Sequence, residues 1–148
     1  MKVLFVCTGN SARSQMAEAF ARHYGAGQVE ASSAGIDPKG LHPLTVKVMA
    51  EKGIDVSRQS SKALTGEMLN ETDVVVTVCG HADRHCPSLA PHVRKLHWPI
   101  EDPAILSGGA PEEVLAAFRQ ARDELESRVR DFLATLPSSE WTGKRNKP

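Results

Sequence analysis

The chain has 148 residues, a length that predicts one compact domain, and 41% of them are hydrophobic, which is enough to build a core. Eighteen Lys and Arg balance eighteen Asp and Glu, so no net charge favours binding to nucleic acid or to an anionic membrane. The longest apolar runs, residues 3–6 and 74–78, have the length of strands and fall far short of the ~20 residues of a membrane span. Three cysteines, an odd number, and the lack of a secretory leader pattern predict a cytoplasmic protein with reduced thiols, and we expect it to be a monomer.

The predicted elements alternate between strands and helices. A β-branched and aromatic strand over residues 2–6 runs into a turn of Gly, Asn and Ser, which is followed by an amphipathic helix over 12–24 with Gln15, Glu18 and Arg22 on its polar face. This alternation predicts an α/β fold with a parallel sheet, helices on both faces and a ligand at the carboxyl ends of the strands. The remaining predicted elements are strands at 29–34, 73–78 and 93–98 and helices at 43–52, 62–69 and from 111 through 133.

Two segments lack the pattern of a helix or a strand. Residues 106–110, LSGGA, are typical of a flexible connection, and residues 137–148 contain Pro, Ser, Gly and basic residues with one large apolar side chain. We therefore expect a single domain over residues 1–136 and a flexible C-terminal tail over 137–148.

The turn after the first strand has a spacing suited to oxyanion binding. Cys7 ends the strand, and Arg13 lies six positions further on, where the helix begins. The intervening residues can wrap a tetrahedral oxyanion with backbone N–H groups, while the helix N-terminus and the forked guanidinium add positive charge. The same environment favours a thiolate at Cys7, and Ser14 can hydrogen-bond it, so an activated nucleophile is predicted; the alternative is a buried cysteine before an ordinary turn. The predicted oxyanion-binding residues are Thr8, Gly9, Asn10, Ser11, Ala12, Arg13 and Ser14.

The sequence VCTGNSARSQMAEAF at residues 6–20 resembles the phosphate-binding loop and first helix of the low-molecular-weight protein tyrosine phosphatase superfamily. It resembles more closely the thioredoxin-coupled arsenate reductase branch of that superfamily. The resemblance implies a small four-stranded parallel sheet with strand order 2-1-3-4. Further segments that look like this branch, in the same order, are SAGI at 33–36, DVVVTVC at 73–79, ADRHCP at 82–87 and HWPIEDPA at 97–104.

Two more cysteines follow the central strand. Cys79 ends that strand at the sheet edge where the oxyanion loop should lie, so it can approach Cys7. A helix between Cys79 and Cys86 would separate them by about 10 Å at ~1.5 Å per residue, whereas a disulfide needs Cα atoms within roughly 7 Å. The polar residues between them offer few apolar anchors, so we expect this segment to open at low free-energy cost.

The resemblance implies the chemistry that these thiols perform. Cys7 attacks arsenate, Cys79 then attacks Cys7 and releases arsenite, and Cys86 attacks Cys79 to move the disulfide outward. Thioredoxin supplies the electrons, with a small-thiol system as the alternative because both reduce exposed disulfides, and no cofactor is bound. The Asp-Pro pair of the superfamily maps to Asp102 as the proton donor, although Ala104 and Ile105 follow it in place of the aromatic residues that hold an aryl substrate in phosphatases.

Two alternatives from other functional classes remain open. The first is a low-molecular-weight tyrosine phosphatase that uses Cys7, Arg13 and Asp102 and keeps spare cysteines; weak phosphatase activity alone would not decide, because both enzymes share the loop. The second is a zinc-stabilised binding module built on Cys79, His81, His85 and Cys86. That cluster lacks the paired ligand spacing of structural zinc sites, so we expect surface histidines there.

A potassium site is a further question that the resemblance raises. Asn10, Glu18 and Ser33 match positions that bind potassium in some relatives, but Lys62 stands where a further acidic ligand would align. The ammonium of Lys62 could replace the cation. We therefore predict no metal, and an activity that is insensitive to exchange of potassium for sodium.

Overall fold

The structure is a computed structural model that describes residues 1–103 and 109–136. The tail predicted at 137–148 and most of the connection predicted at 106–110 lie outside the described residues. The strands are β1 (Lys2–Cys7), β2 (Glu30–Gly35), β3 (Val74–Thr77) and β4 (Arg94–His97). The helices are α1 (Arg13–Tyr24), α2 (Pro43–Ala50), α3 (Gly66–Asn70), α4 (Gly80–His85) and α5 (Pro111–Ala134).

The four strands form one parallel sheet in the order β2-β1-β3-β4, which confirms the predicted fold class and strand order. The central strands β1 and β3 are covered on both faces, since residues 3–7 and 74–77 are all buried. The register pairs Val6 with Thr77, and the amide of Val78 donates to the Val6 carbonyl at 2.9 Å. The segments that follow β1 and β3 therefore begin side by side at the carboxyl edge of the sheet.

Helix α1 packs against the strands β1 and β2, and helix α5 packs on α1 and α2. Trp98 links these layers, because its ring centroid lies 5.9 Å from that of Phe5 on β1 and 6.1 Å from that of Phe132 on α5. Apolar residues at helical spacing bury one side of α5 as predicted. Within residues 1–103 and 109–136, no helix combines the length and the apolar character needed to cross a membrane.

The predicted third helix is wrong at its start. The structure begins α3 at Gly66, with the Thr65 hydroxyl accepting from the amide of Met68, whereas the sequence predicted a helix from residue 62. The preceding residues pair with β2 instead: Lys62 O accepts from Gly35 N at 2.7 Å, and Leu64 N donates to Gly35 O at 2.9 Å. These tertiary hydrogen bonds use backbone groups that a helix would need.

Candidate active site

The loop between β1 and α1 turns its carbonyl groups away from the centre that it encloses. Residues 36–42 run beside the loop and donate backbone hydrogen bonds to it. The pairs are Ile36 N to Cys7 O at 3.1 Å, Asp37 N to Thr8 O at 2.8 Å, Lys39 N to Gly9 O at 2.8 Å and His42 N to Ser11 O at 3.0 Å.

The outward carbonyls fix the direction of the loop amides. In a planar trans peptide the C=O and the following N–H point in opposite directions, so each outward carbonyl turns the next N–H inward. Asn10 N illustrates this, because it donates to Cys7 Sγ at 3.2 Å while the carbonyl of Gly9 is held by Lys39. The loop is therefore a preformed concave set of donors of the kind that binds anions.

Asn10 holds the loop in its shape. Its φ is +48°, a left-handed conformation that asparagine tolerates better than most residues. Its side-chain oxygen accepts from Lys62 N at 2.8 Å, and its carbonyl accepts from Gln15 Nε2 at 2.9 Å. Asn10 is fully buried, so these contacts satisfy its polar atoms inside the protein.

Cys7 lies beneath the loop in contact with Ser14. The Cys7 Sγ and Ser14 Oγ atoms are 2.9 Å apart. Because Asn10 Nδ2 donates to Ser14 Oγ at 2.7 Å, the hydroxyl proton of Ser14 is available for the sulfur. The Ser14 hydroxyl and the Asn10 amide thus both point at the sulfur of Cys7.

Arg13 and Asp102 lie together at the same edge of the sheet. Arg13 Nη1 donates to the Ile100 carbonyl at 2.9 Å, which fixes the guanidinium. Arg13 Nη2 lies 3.5 Å from Asp102 Oδ2, and the side chain of Asp102 is 45% exposed. Asp102 is therefore partly open to solvent, and it lines the same pocket as Arg13.

The loop forms the floor of a pocket of about 390 Å³ that residues 39–43 and Asp102 also line. His42 is in its wall, where its ring lies 4.7 Å from that of Phe118. Its Nδ1 accepts from Leu44 N at 3.0 Å and caps α2. Burial lowers the pKa of His42, while the nearby Asp102 opposes this shift, so a neutral imidazole borders the pocket at neutral pH.

Gly35 allows the loop to approach β2. A Cβ at this position would lie 2.8 Å from the Thr8 carbonyl oxygen and 2.9 Å from Asn10 Cβ. Only glycine leaves room for the backbone of the loop at this distance. Gly35 is part of the SAGI segment, but nothing in its spacing indicated this contact.

Cys79 reaches the oxyanion loop from β3. Its Sγ lies 3.3 Å from Thr8 Oγ1, and Thr8 is the next residue after Cys7. Cys79 also accepts from Ala82 N at 3.3 Å and forms the N-cap of α4. The structure therefore brings a second, buried thiol to the edge of the loop, as the sequence predicted.

Cys86 lies at the other end of α4, at its C-cap, and is partly buried. Burial raises the pKa of the Cys86 thiol, Lys95 lowers it and Asp83 raises it further. Cys79 and Cys86 thus occupy opposite ends of a helix, which is the separated arrangement considered from the sequence.

Of the residues compared with a potassium site, Glu18 and Ser33 are hydrogen-bonded to each other, and Glu18 also pairs with an arginine. Glu18 is almost fully buried, and it accepts from Ser33 Oγ at 2.6 Å and pairs with Arg22 Nη2 at 2.9 Å. The suggestion that the ammonium of Lys62 replaces the cation is wrong, because Lys62 Nζ is exposed and donates to the Ser60 carbonyl at 3.1 Å. The charge partner of Glu18 is Arg22, which the helix brings one turn further along.

The cluster considered for zinc is divided between two environments. Cys79 is buried against Thr8, whereas His81 and His85 stack on the surface of α4 with ring centroids 4.2 Å apart. Across residues 1–103 and 109–136, no three His, Cys, Asp or Glu side chains are grouped so as to hold a metal ion.

A thiol beneath an oxyanion-binding loop, with an arginine and an aspartate at the edge of a parallel sheet, defines a cysteine-dependent enzyme of oxyanion chemistry. The chain belongs to the low molecular weight phosphotyrosine protein phosphatase family, whose model matches residues 2–141. This confirms the resemblance found in the sequence.

Relatives in this family include arsenate reductases. The arsenate reductase of Bacillus subtilis is 46% identical over 133 residues, which cover 90% of this chain and 95% of that protein. A solved arsenate reductase in a phosphate-binding state superposes with a TM-score of 0.75 at 35% identity, covering 92% of this chain and 98% of the other. The thioredoxin-dependent arsenate reductase of Corynebacterium glutamicum has a TM-score of 0.73 at 29% identity, covering 90% of this chain and 60% of the other.

Sequence reasoning missed three residues that shape the site. His42 carried no usable signal, although it directly precedes Pro43, the first residue of α2, which is the position of a helix cap. Gln15 was expected on the polar face of α1, but it is fully buried between Asn10 and Ser60. Gly35 is the third of these residues. The burial of Gln15 follows from tertiary hydrogen bonds, which helical periodicity does not reveal.

Proposed function

We propose that this protein reduces arsenate to arsenite through a relay of Cys7, Cys79 and Cys86, with thioredoxin as the final reductant. The observation that carries the proposal is the contact of Cys79 with Thr8, because a phosphatase needs one thiol at its loop and a reductase needs a second. The family and the identity of its arsenate reductase relatives support the same reading.

In the first step the oxyanion binds to the inward amides of the loop and to Arg13. The thiolate of Cys7 attacks As(V) and forms an S–As bond, while one arsenate oxygen leaves as water after Asp102 supplies its proton. Ser14 and the Asn10 amide stabilise the thiolate before the attack.

In the second step Cys79 attacks Cys7 Sγ. The new S–S bond joins Cys7 to Cys79, the S–As bond breaks and its electron pair reduces As(V) to As(III), which leaves as arsenite. Thr8 Oγ1 and Ala82 N both contact Cys79 Sγ and can stabilise its thiolate for this attack.

In the third step Cys86 loses its proton and attacks Cys79. The Cys79–Cys86 disulfide forms, and Cys7 leaves as a thiolate ready for another arsenate. Thioredoxin, a dithiol, then reduces the outer disulfide and is itself oxidised.

The test combines the protein with thioredoxin, thioredoxin reductase and NADPH. We expect NADPH consumption that depends on arsenate. Cys86→Ser should release one arsenite per enzyme and then stop with a Cys7–Cys79 disulfide, whereas Cys79→Ser should release none. A mass spectrum after one equivalent of arsenate identifies the joined cysteines.

A tyrosine phosphatase that uses Cys7, Arg13 and Asp102 is the second candidate, and the family model favours it as well. It predicts steady hydrolysis of p-nitrophenyl phosphate that survives the loss of Cys79 or Cys86, with no NADPH use on addition of arsenate. That combination of results would contradict the reductase proposal.

A further inference from the structure

One polar cluster ties α4 to the strands beside it. Asp83 Oδ1 accepts from Lys95 Nζ at 2.9 Å and from Thr77 Oγ1 at 3.1 Å. Lys95 Nζ also donates to the main-chain oxygen of Asp83 at 3.2 Å. His97 completes the cluster, with its Nδ1 2.8 Å from Thr77 Oγ1 and 3.8 Å from Asp83 Oδ1. Side chains from β3 and β4 thus meet on a single carboxylate of α4.

Helix α4 has few apolar contacts besides this cluster. Of its six residues only Ala82 is buried. The pair in the cluster is itself about one-third exposed, at 34% for Asp83 and 37% for Lys95. A segment with so few apolar contacts opens at low free-energy cost, and an exposed ion pair is then a large share of what keeps it closed.

The closed helix keeps Cys79 and Cys86 apart. They cap its two ends, seven residues from each other, which at ~1.5 Å per residue is about 10 Å along the axis. A disulfide needs Cα atoms within roughly 7 Å. The helix must therefore unwind before these sulfurs meet, and unwinding at Asp83 separates it from Lys95.

Resting on the relay proposed above, we propose that the Asp83–Lys95 contact is a latch that holds α4 closed in the reduced protein and must open before Cys86 attacks Cys79. Asp83 and Lys95 are positioning residues in this scheme. The bond that forms is Cys79–Cys86, the bond that breaks is Cys7–Cys79, Cys86 gives up its proton and Cys7 leaves as the thiolate.

The environment of Cys86 agrees with a latched resting state. Its pKa is raised, chiefly because the thiol is partly buried, packed against the hydrophobic core. A protonated thiol is a poor nucleophile, so Cys86 is restrained until α4 opens. Premature attack is thereby disfavoured while the oxyanion is still being bound.

The test removes the latch with Lys95→Met and measures opening directly. We expect hydrogen exchange of the α4 amides to accelerate about two- to fivefold, the factor that corresponds to an exposed ion pair. Iodoacetamide labelling of Cys86 in the reduced protein, measured by peptide mass spectrometry, should accelerate as well. Loss of Lys95 would by itself raise the pKa of Cys86 and slow labelling, so faster labelling reports opening.

Two further variants control the experiment. Lys52→Met removes a lysine of the same 37% exposure, which pairs with Glu126 of α5 at 3.0 Å. Because this pair does not involve α4, the variant should leave α4 exchange unchanged. Lys95→Arg keeps a cation opposite Asp83 and should restore slow exchange. The melting temperature of all three is measured to show that any change is local to α4.

The relay adds a readout that loss of stability alone would not move. After one equivalent of arsenate, the Cys7–Cys79 disulfide should convert to Cys79–Cys86 faster in Lys95→Met than in the wild type. Unchanged α4 exchange and Cys86 labelling in Lys95→Met would overturn the latch, whatever arsenate does. Faster opening in a protein that never reduces arsenate would contradict the proposed function and leave the latch supported.

Discussion

The oxyanion loop and α4 follow neighbouring strands at the same edge of the sheet, but different kinds of contact hold them. Backbone hydrogen bonds from residues 36–42 hold the loop, and α1 behind it buries nine of its twelve residues. Helix α4 buries one residue, and a partly exposed pair of side chains ties it down. A single sheet edge can therefore carry a rigid binding element and a releasable one, which is the combination that a relay of thiols requires.

The largest effect should come from the rigid side of this comparison. Arg13→Lys keeps the charge but loses the forked geometry that can hold two oxygens, so we expect kcat/KM for arsenate to fall by about 10² to 10³. Arg119→Lys changes an arginine that pairs with Glu51 at 3.0 and 2.6 Å, away from the site, and should retain activity. A loss below tenfold in Arg13→Lys would show that positive charge alone suffices.

Gly35→Ala tests the packing of the loop. The added Cβ would meet the Thr8 carbonyl at 2.8 Å, so we expect a loss of about 1–3 kcal/mol in the free energy of unfolding and weaker phosphate binding. Gly66→Ala is the matched control, because its Cβ would meet no atom within 4 Å. Denaturant unfolding and phosphate titration measure both. Equal free energies of unfolding for the two variants would contradict the prediction. They would mean that the loop can shift away from the added Cβ despite the backbone hydrogen bonds that hold it.

The relation between sequence and structure also differs between the two regions. The spacing from Cys7 to Arg13 predicted the loop only together with the strand before it, the helix after it, Gly9 within it and the resemblance to a known family. The anchoring of α4 was not predictable in this way. Asp83, Thr77 and Lys95 come from three different elements, and only the strand register brings them together.

The predictions for the start of α3 and for the polar residues of α1 were wrong for a related reason. Local propensity favoured a helix from residue 62, but the backbone there forms hydrogen bonds with Gly35 instead. Glu18 was placed on an exposed face by its charge, whereas Ser33 and Arg22 stabilise it inside the protein. Periodicity describes one element at a time, and these contacts lie between elements.

Salt and acid should distinguish the two regions further. The pKa of Asp83 is lowered, mainly by its hydrogen bond with Lys95. The latch therefore contributes fully above the ordinary aspartate pKa of about 4 and is lost as the pH falls through it toward the lower folded value. At 1 M salt, or in this acid range, we expect the difference in α4 exchange between the wild type and Lys95→Met to shrink. Exchange in the loop, held by neutral backbone groups, should not respond to salt.

The smallest expected effect is the absence of one. Because Arg22 already neutralises the buried carboxylate of Glu18, exchange of potassium for sodium at constant ionic strength should leave kcat and KM for arsenate unchanged. Arg22→Gln removes the guanidinium and leaves Glu18 buried with Ser33 as its hydrogen-bond donor, so this variant should lose stability, and any cation dependence should appear here first. A rate increase specific to potassium in the wild type would show that the arginine does not substitute for a cation. A bound potassium ion would then be part of the rigid region that contains the loop and α1.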